Sequence, residues 1–514
     1  MAEKQTETVN STFHGGDDDH NYLYSQFFAA FNGVKRWAST TIFLFFCMLF
    51  LGAFFFRIDV SIIRDNFLIG TRRPIEFPLE CPEKGTPITC KANYPEVSSP
   101  SSSPVAACPD YFRWIHEDLR PWKDTGISRE TVENAKRFAT FRLVIINGTA
   151  YLERYHRSFQ TRDLFTLWGI LQLLRLYPGK VPDLELMFQC GDMPEIQKND
   201  YQGENATLPP PLLFQYSGND ATYAVTFPDW SFWGWAEVNI RPWKNMIEAI
   251  KKGAKKKKWK NRKPYAYWKG NPYVSPNRGD LLRCNVSDKQ DWNARLYVQD
   301  WVKEVKQGYK HSKLEDQCDH RYKIYIEGRA WSVSDKYIIA CDSMTLMVKP
   351  VYYDFFLRSL MPLQHYWPIS TQNKCPDIKF AVQWGNSHPD KAQAIGKEGT
   401  KFIEEDMKME NIYAYMLHLL NEYAKLLKFK PEIPKGRVEV LCAESMACNE
   451  GGLVRNFLEE SMVLSPSTSP PCNMPPPYDH STLQHLFEEK ENITRKIEMW
   501  ENDWQHFNKG NSKN

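Results

Sequence analysis

The chain has 514 residues, too many for one ordinary domain and enough for two α/β lobes of typical size. Its net charge of +3 gives composition no reason to invoke a nucleic-acid partner. Aromatic residues make up 14%, with 17 Trp, a usage that suits stacking on sugar faces or packing in a core.

In chain order, residues 1–36 form a polar tail that includes the acidic run Asp17–Asp19. Residues 37–56, WASTTIFLFFCMLFLGAFFF, carry no charge and are long enough to span a bilayer as a helix. Lys35 and Arg36 precede them, which predicts a cytoplasmic N-terminus and an uncleaved, single-pass, type II signal anchor. Residues 57–105 are rich in Pro and Ser and read as a stem, in which Cys81 and Cys90 could close a small loop. Eleven of the twelve cysteines lie beyond the anchor, an odd number that leaves at least one thiol free or paired between chains. Four sequons, at Asn147, Asn205, Asn285 and Asn492, lie there too, as expected of a lumenal portion.

The folded region starts near Cys108, and two lobes are expected, at 106–260 and 261–464, the second with a closing helix. Thr161 is positioned to cap a helix with apolar face Leu164, Leu167, Trp168, Leu171 and Leu174, which Pro178-Gly179 ends. Leu184–Phe188 reads as a strand, and so do Tyr265–Trp268 and the stretch from Lys323. Ile412, Met416, Leu419, Leu420, Tyr423 and Leu427 form one stripe of a long helix near 410–428. Strands alternating with helices predict an α/β fold with parallel sheets. Residues 465–514 follow as a Pro-rich linker and a charged terminal helix.

Ligands of open parallel sheets bind beyond the carboxyl ends of the strands, and three segments meet that requirement. Asp192 follows a strand and a glycine, where a carboxylate serves as general base or merely caps a turn. After Gly270, Ser275 is a good N-cap with Pro276 at the first helical position, and Arg278 lies in the first turn, a setting for phosphate. A third unit repeats this logic: Gly328 permits close approach, and Ser332, Ser334 and Lys336 offer polar contacts to a nucleotide. Trp230, Phe232 and Trp233 fit either an acceptor groove or a core. The run Lys255–Lys258 reads as a solvated loop or helix end. Beyond the anchor there is no Asp-x-Asp pair, the usual metal holder of a nucleotide-sugar site, and no G-x-S-x-G, H-E-x-x-H or Walker loop.

These segments resemble the Rumi-like protein O-glucosyltransferases (glycosyltransferase family 90), most closely their plant branch. The resemblance spans about Cys108 to Phe429. It rests on CPDYFRWIHEDLRPW from Cys108 to Trp122, Asp192-Met-Pro, PDWSFW from Pro228 to Trp233, Ser275-Pro-Asn-Arg278 and EGRAWS from Glu327 to Ser332. It implies a GT-B fold and inverting transfer from UDP-glucose or UDP-xylose, with no cofactor and no metal. Asp192 matches the family's catalytic base, although Gly191 stands where the family has Arg. Arg278 matches the diphosphate-binding arginine. Gly328, Arg329, Ala330 and Ser332 match the nucleotide loop, but Ser334 stands where animal members carry Arg. The resemblance also implies a disulfide between Cys318 and Cys341. The chain ends Lys-Gly-Asn-Ser-Lys-Asn, without a KDEL-like signal, so a Golgi membrane is expected ahead of the endoplasmic reticulum, with a protein or cell-wall glycan as acceptor. The alternative from another class is a catalytically silent, membrane-tethered glycan-binding protein on the same fold.

Overall fold

A computed structural model describes residues 77–83, 86–90, 105–203 and 209–511, with the side chains of 507–511 left out. The expected tail, the anchor 37–56 and the Asn205 sequon lie outside the described residues. Among the described residues, no helix is long and apolar enough to cross a membrane.

The fold is mixed α/β, built on two main sheets. In the first half, β1 (Phe141–Ile146) and β2 (Thr149–Arg154) form a hairpin, followed by β3 (Leu184–Phe188). The short strands β4 (Ile196–Gln197), β5 (Phe214–Gln215), β6 (Thr222–Tyr223) and β7 (Val225–Thr226) come next. In the second half lie β8 (Lys263–Gly270), β9 (Ala294–Val298), β10 (His320–Tyr325), β11 (Met344–Val348) and β12 (Trp367–Ile369), before the late strand β13 (Glu439–Leu441). The first sheet has the order β13-β2-β1-β3-β5-β7 and the second β12-β11-β10-β8-β9, with β4 and β6 forming a separate ribbon.

Parallel sheets were expected throughout, and the second sheet is parallel at every pairing. The first is mixed, because β1 runs antiparallel to both β2 and β3. The cause is local: Asn147 and Gly148 are the two residues between β1 and β2, both at positive φ (49° and 74°), the conformation that tight hairpins require. The sequon at Asn147 is thus also a hairpin turn, and Asn147 is exposed, as is Asn492 on the terminal helix. Asn285 differs: its amide donates to Leu296 O at 3.1 Å and its Oδ1 accepts from Leu296 N at 3.0 Å.

The boundary expected at 464 does not follow the packing. The helix Met409–Leu426 buries Ile412, Met416, Leu419, Leu420 and Tyr423 in the core that also holds Phe141, Leu143, Leu186 and Phe188. β13 then pairs with β2. The chain therefore leaves the second sheet and returns to the first, because that apolar stripe finds its partner surface there. The helix expected after Thr161 is Arg162–Leu176, but Thr161 does not cap it; its hydroxyl donates to Glu237 Oε2 at 2.9 Å.

The stem reading needs correction as well. Cys81 and Cys90 do not pair with each other; they bond to Cys448 and Cys442. Phe77 is buried, and its N–H donates to Leu464 O at 2.6 Å. Cys108 bonds to Cys472, so the Pro-rich linker is fastened too. These three disulfides join residues 352 to 367 positions apart. Chain entropy places such long loops at the upper end of the usual ~2–4 kcal/mol per disulfide. Among the described residues, Cys284–Cys375 and the expected Cys318–Cys341 complete the set, and Cys190 is a buried free thiol. Residues from Ile75 onward form one compact unit.

The terminal helix His480–Asn511 docks on the second sheet's core through Ile497, near the helix Lys374–Ser387. Glu501 is buried there; desolvation, with Asp377 and Glu498 adding like charge, pushes its carboxyl up to about 8. Burial likewise holds Asp377 up to about 6, although Ser370 N and Asn373 pull it down. A carboxyl raised on folding contributes most below its ordinary value of about 4.3, and that contribution is lost as pH rises through the folded value. Docking of this helix is therefore expected to weaken as pH rises from about 4 to about 8. The protection of amides in 480–506, taken relative to the intrinsic base-catalysed exchange rate, should fall over that range, and Glu501→Gln should flatten the dependence.

Candidate active site

The first half of the site stands on the loop after β3. Thr140 Oγ1 accepts from Cys190 N at 3.0 Å, and Gln189 Oε1 accepts from Gly191 N at 2.8 Å. Ser217 Oγ donates to Asp192 O at 3.1 Å, so both flanks of the loop are tied to neighbouring strands. The Asp192 side chain is 31% exposed, and Arg162 Nη1 lies 2.9 Å from its Oδ1. Its Oδ2 has no hydrogen bond among the described residues. A carboxylate at a strand end with one oxygen held and the other open can accept a proton from a hydroxyl.

The second half stands on the loops after β8 and β10. Ser275 caps the helix Pro276–Leu281, its Oγ accepting from Arg278 N at 3.4 Å. The helix is too short for a large dipole, so the side chain of Arg278 carries the positive charge here. That guanidinium donates to Glu327 O at 2.9 Å, Ile326 O at 3.2 Å, Ser332 Oγ at 2.9 Å and Asn271 O at 3.4 Å. All four acceptors are neutral, and among the described residues no carboxylate lies within ion-pair distance of it. Burial without a counter-charge pulls Arg278 down to about 10. A cation in that state favours any anion that reaches it. A Cβ on Gly328 would lie 3.5 Å from Arg278 Nη2, in ordinary contact with the guanidinium.

The other expected residues divide. Ser332 is buried and shares a 2.8 Å hydrogen bond with Ser334 Oγ, so both stand beside Arg278. Arg329 is exposed, whereas Ala330 is fully buried and offers only its backbone. Gly270 answers to packing: a Cβ there would fall 2.5 Å from the Trp268 ring. Lys336 is not available to a ligand. It is fully buried, with Nζ 2.8 Å from Asp229 Oδ2. Trp230, Phe232 and Trp233 are fully buried as well, so this aromatic segment is core and not a groove. Of the lysine run, Lys256 and Lys257 pair with Asp316 and Asp319 at the surface.

Among the described residues, one cluster has the residue types of a metal site: Cys108, His418 and Cys472. Its two sulfurs form a disulfide, and His418 Nε2 donates to Cys472 O at 2.8 Å, so the cluster is spent on the fold.

Residues 103–501 match the family model described as Glycosyl transferase family 90. The chain belongs to this family. It is similar to the O-glucosyltransferase rumi homolog of Aedes aegypti, 26% identical over 65% of this chain and 83% of the relative. It is 28% identical to Protein O-glucosyltransferase 1 of Bos taurus, over 66% of this chain and 86% of that protein. With O-glucosyltransferase rumi of Drosophila melanogaster it shares 26% identity over 72% and 87%.

Sequence reasoning gave no role to three residues of this candidate site. Arg162 touches the carboxylate of Asp192 from a helix start. Trp331 packs on both Tyr216 and Trp230, with ring centroids 5.8 Å and 6.3 Å away, and so joins the two halves of the site. Glu327, buried and held up to about 7 by desolvation, accepts from Val351 N and Tyr352 N and braces the loop that Arg278 grips. Glu327 and Trp331 both lie in the EGRAWS segment, whereas Arg162 had no local signal.

Proposed function

We propose that this chain transfers glucose or xylose from a UDP-sugar to a hydroxyl on a protein or cell-wall glycan, by an inverting, metal-independent mechanism. The names of its relatives favour glucose and a protein acceptor. The observation that carries the reading is Arg278, a cation without a carboxylate partner among the described residues at the strand ends of one sheet, while Asp192 presents a carboxylate oxygen open among those residues at a strand end of the other. Two sheets so arranged suit a GT-B enzyme, with the donor on the second and the acceptor on the first.

In this mechanism Asp192 Oδ2 takes the proton of the acceptor hydroxyl. The hydroxyl oxygen attacks the anomeric carbon, and the bond from that carbon to UDP breaks on the opposite face. The negative charge left on the β-phosphate falls to Arg278, a preorganised donor that needs no reorientation. Metal independence rests on this cation and on the lack of an Asp-x-Asp pair beyond the anchor. The reading places the site in the Golgi lumen, with residues 37–56 as the type II anchor; five disulfides suit an oxidising compartment.

The test is UDP release from UDP-glucose, UDP-xylose and UDP-galactose, each with EDTA, by the chain from Ile75 onward, so that both long-range bridges to Cys81 and Cys90 are kept. Release with one donor names the sugar. UDP binding without release favours the silent glycan-binding protein, and neither binding nor release removes the donor site. Arg278→Met is expected to weaken UDP binding about 10–100-fold, in line with the ~1.5–3 kcal/mol of a charge-assisted hydrogen bond. Calorimetry on a variant of unchanged melting temperature checks it.

A further inference from the structure

Nothing in the loop of Asp192 orients its carboxylate. Gly191 before it has no side chain, and Ser217 holds only its backbone carbonyl. The orientation comes from outside the loop, from the first residue of the helix Arg162–Leu176. The guanidinium of Arg162 is buried and lies over the Trp230 ring, 4.3 Å from its centroid, and 5.1 Å from that of Phe159. The buried Trp230 ring therefore fixes where it stands before any carboxylate meets it, and the Phe159 ring, 65% exposed, adds a surface contact. Its Nη1 reaches Cys190 O at 3.3 Å and Asp192 Oδ1 at 2.9 Å. One nitrogen thus binds the loop backbone and the side chain together, which removes the rotation of the carboxylate about its own loop.

Arg162 is also costly to keep. Its Nε is buried with no hydrogen-bond partner among the described residues, and an apolar side chain between the same rings would avoid that loss. We infer that Arg162 is a positioning residue, held between Phe159 and Trp230 so that it pins Asp192 Oδ1 and leaves Oδ2 aimed at the acceptor hydroxyl. The inference rests on the reading of Asp192 as the base.

Full-length chain in detergent, with Arg162→Ala, Arg162→Lys and Asp192→Asn in parallel, provides the test. Arg162→Ala is expected to lower kcat about 100-fold, the scale of a misplaced catalytic group, with KM for the UDP-sugar and UDP affinity unchanged. Arg162→Lys should recover part of kcat. Guanidinium or ethylguanidinium ion, added to Arg162→Ala at concentrations that leave the wild type folded and active, should return turnover by refilling the space between the rings. A kcat that falls only in step with the folded fraction and does not respond to guanidinium overturns the positioning role. An unchanged kcat in Arg162→Ala does the same, even where Asp192→Asn is dead. Turnover retained in Asp192→Asn instead removes the base assignment itself.

Discussion

Asp192→Asn lowers kcat for sugar transfer by about 10²–10⁴-fold and leaves UDP binding intact, the loss expected when a general base is removed. Asn matches the shape of Asp and can still accept from Arg162 through Oδ1, so the loop keeps its geometry. What it cannot do is take a proton. The donor half, around Arg278, stands on other strands and does not feel the change. UDP release under saturating donor and acceptor, with UDP affinity measured by calorimetry, separates the two halves. Loss of UDP binding alongside turnover would mean that Asp192 holds the donor, and retained turnover would remove it from the chemistry.

Asp229→Asn is expected to cost about 3–5 kcal/mol of stability, as when one partner of a buried ion pair is removed. The side chains of Lys336 and Asp229 are 0% and 3% exposed, with N and O 2.8 Å apart. Asp229 also sets the turn that follows, its Oδ1 accepting from Ser231 N at 2.9 Å. Among the described residues Asp335 forms no ion pair with Lys336; it attracts the ammonium less strongly than Asp229 does, so it replaces that partner only in part. With Asp229 neutralised, the ammonium of Lys336 is left in a dry site against the rings of Phe232 and Tyr337. Replacing Lys336 by Met in the same chain should recover much of the loss, since the charge is removed along with its partner. Urea unfolding of the two single variants and the double variant gives the coupling directly. Additive single effects would show that the pair does not act as a unit. An exposed pair such as Lys256–Asp316 stays solvated when broken and carries no such penalty.

The sequence by itself determined the features set by neighbours along the chain. The strand at Leu184–Phe188, the cap at Ser275 and the stripe of the helix near 410–428 are local patterns, and the structure has all three. The order of strand, glycine and polar residue also placed Asp192, Arg278 and Gly328 at strand ends. The Asn-Gly pair at 147–148 was just as local, but its turn chemistry was passed over, and with it the antiparallel half of the first sheet.

Only the tertiary structure decided which polar groups stay free. Lys336 and Arg278 look alike in the sequence, each a cation beyond a strand and a glycine. Lys336 is neutralised by Asp229, 107 residues away, whereas Arg278 meets only neutral acceptors. Trp230, Phe232 and Trp233 suited a groove or a core equally well until the helix 162–176 and the second half of the chain closed over them. Arg162 reaches Asp192 across 30 residues, and Cys81 reaches Cys448 across 367. Propensity and periodicity act over a turn or a strand, so they fix elements and their ends. Charge pairing, burial and disulfide partners depend on which surfaces meet once those elements pack, and that is settled between residues far apart in the chain.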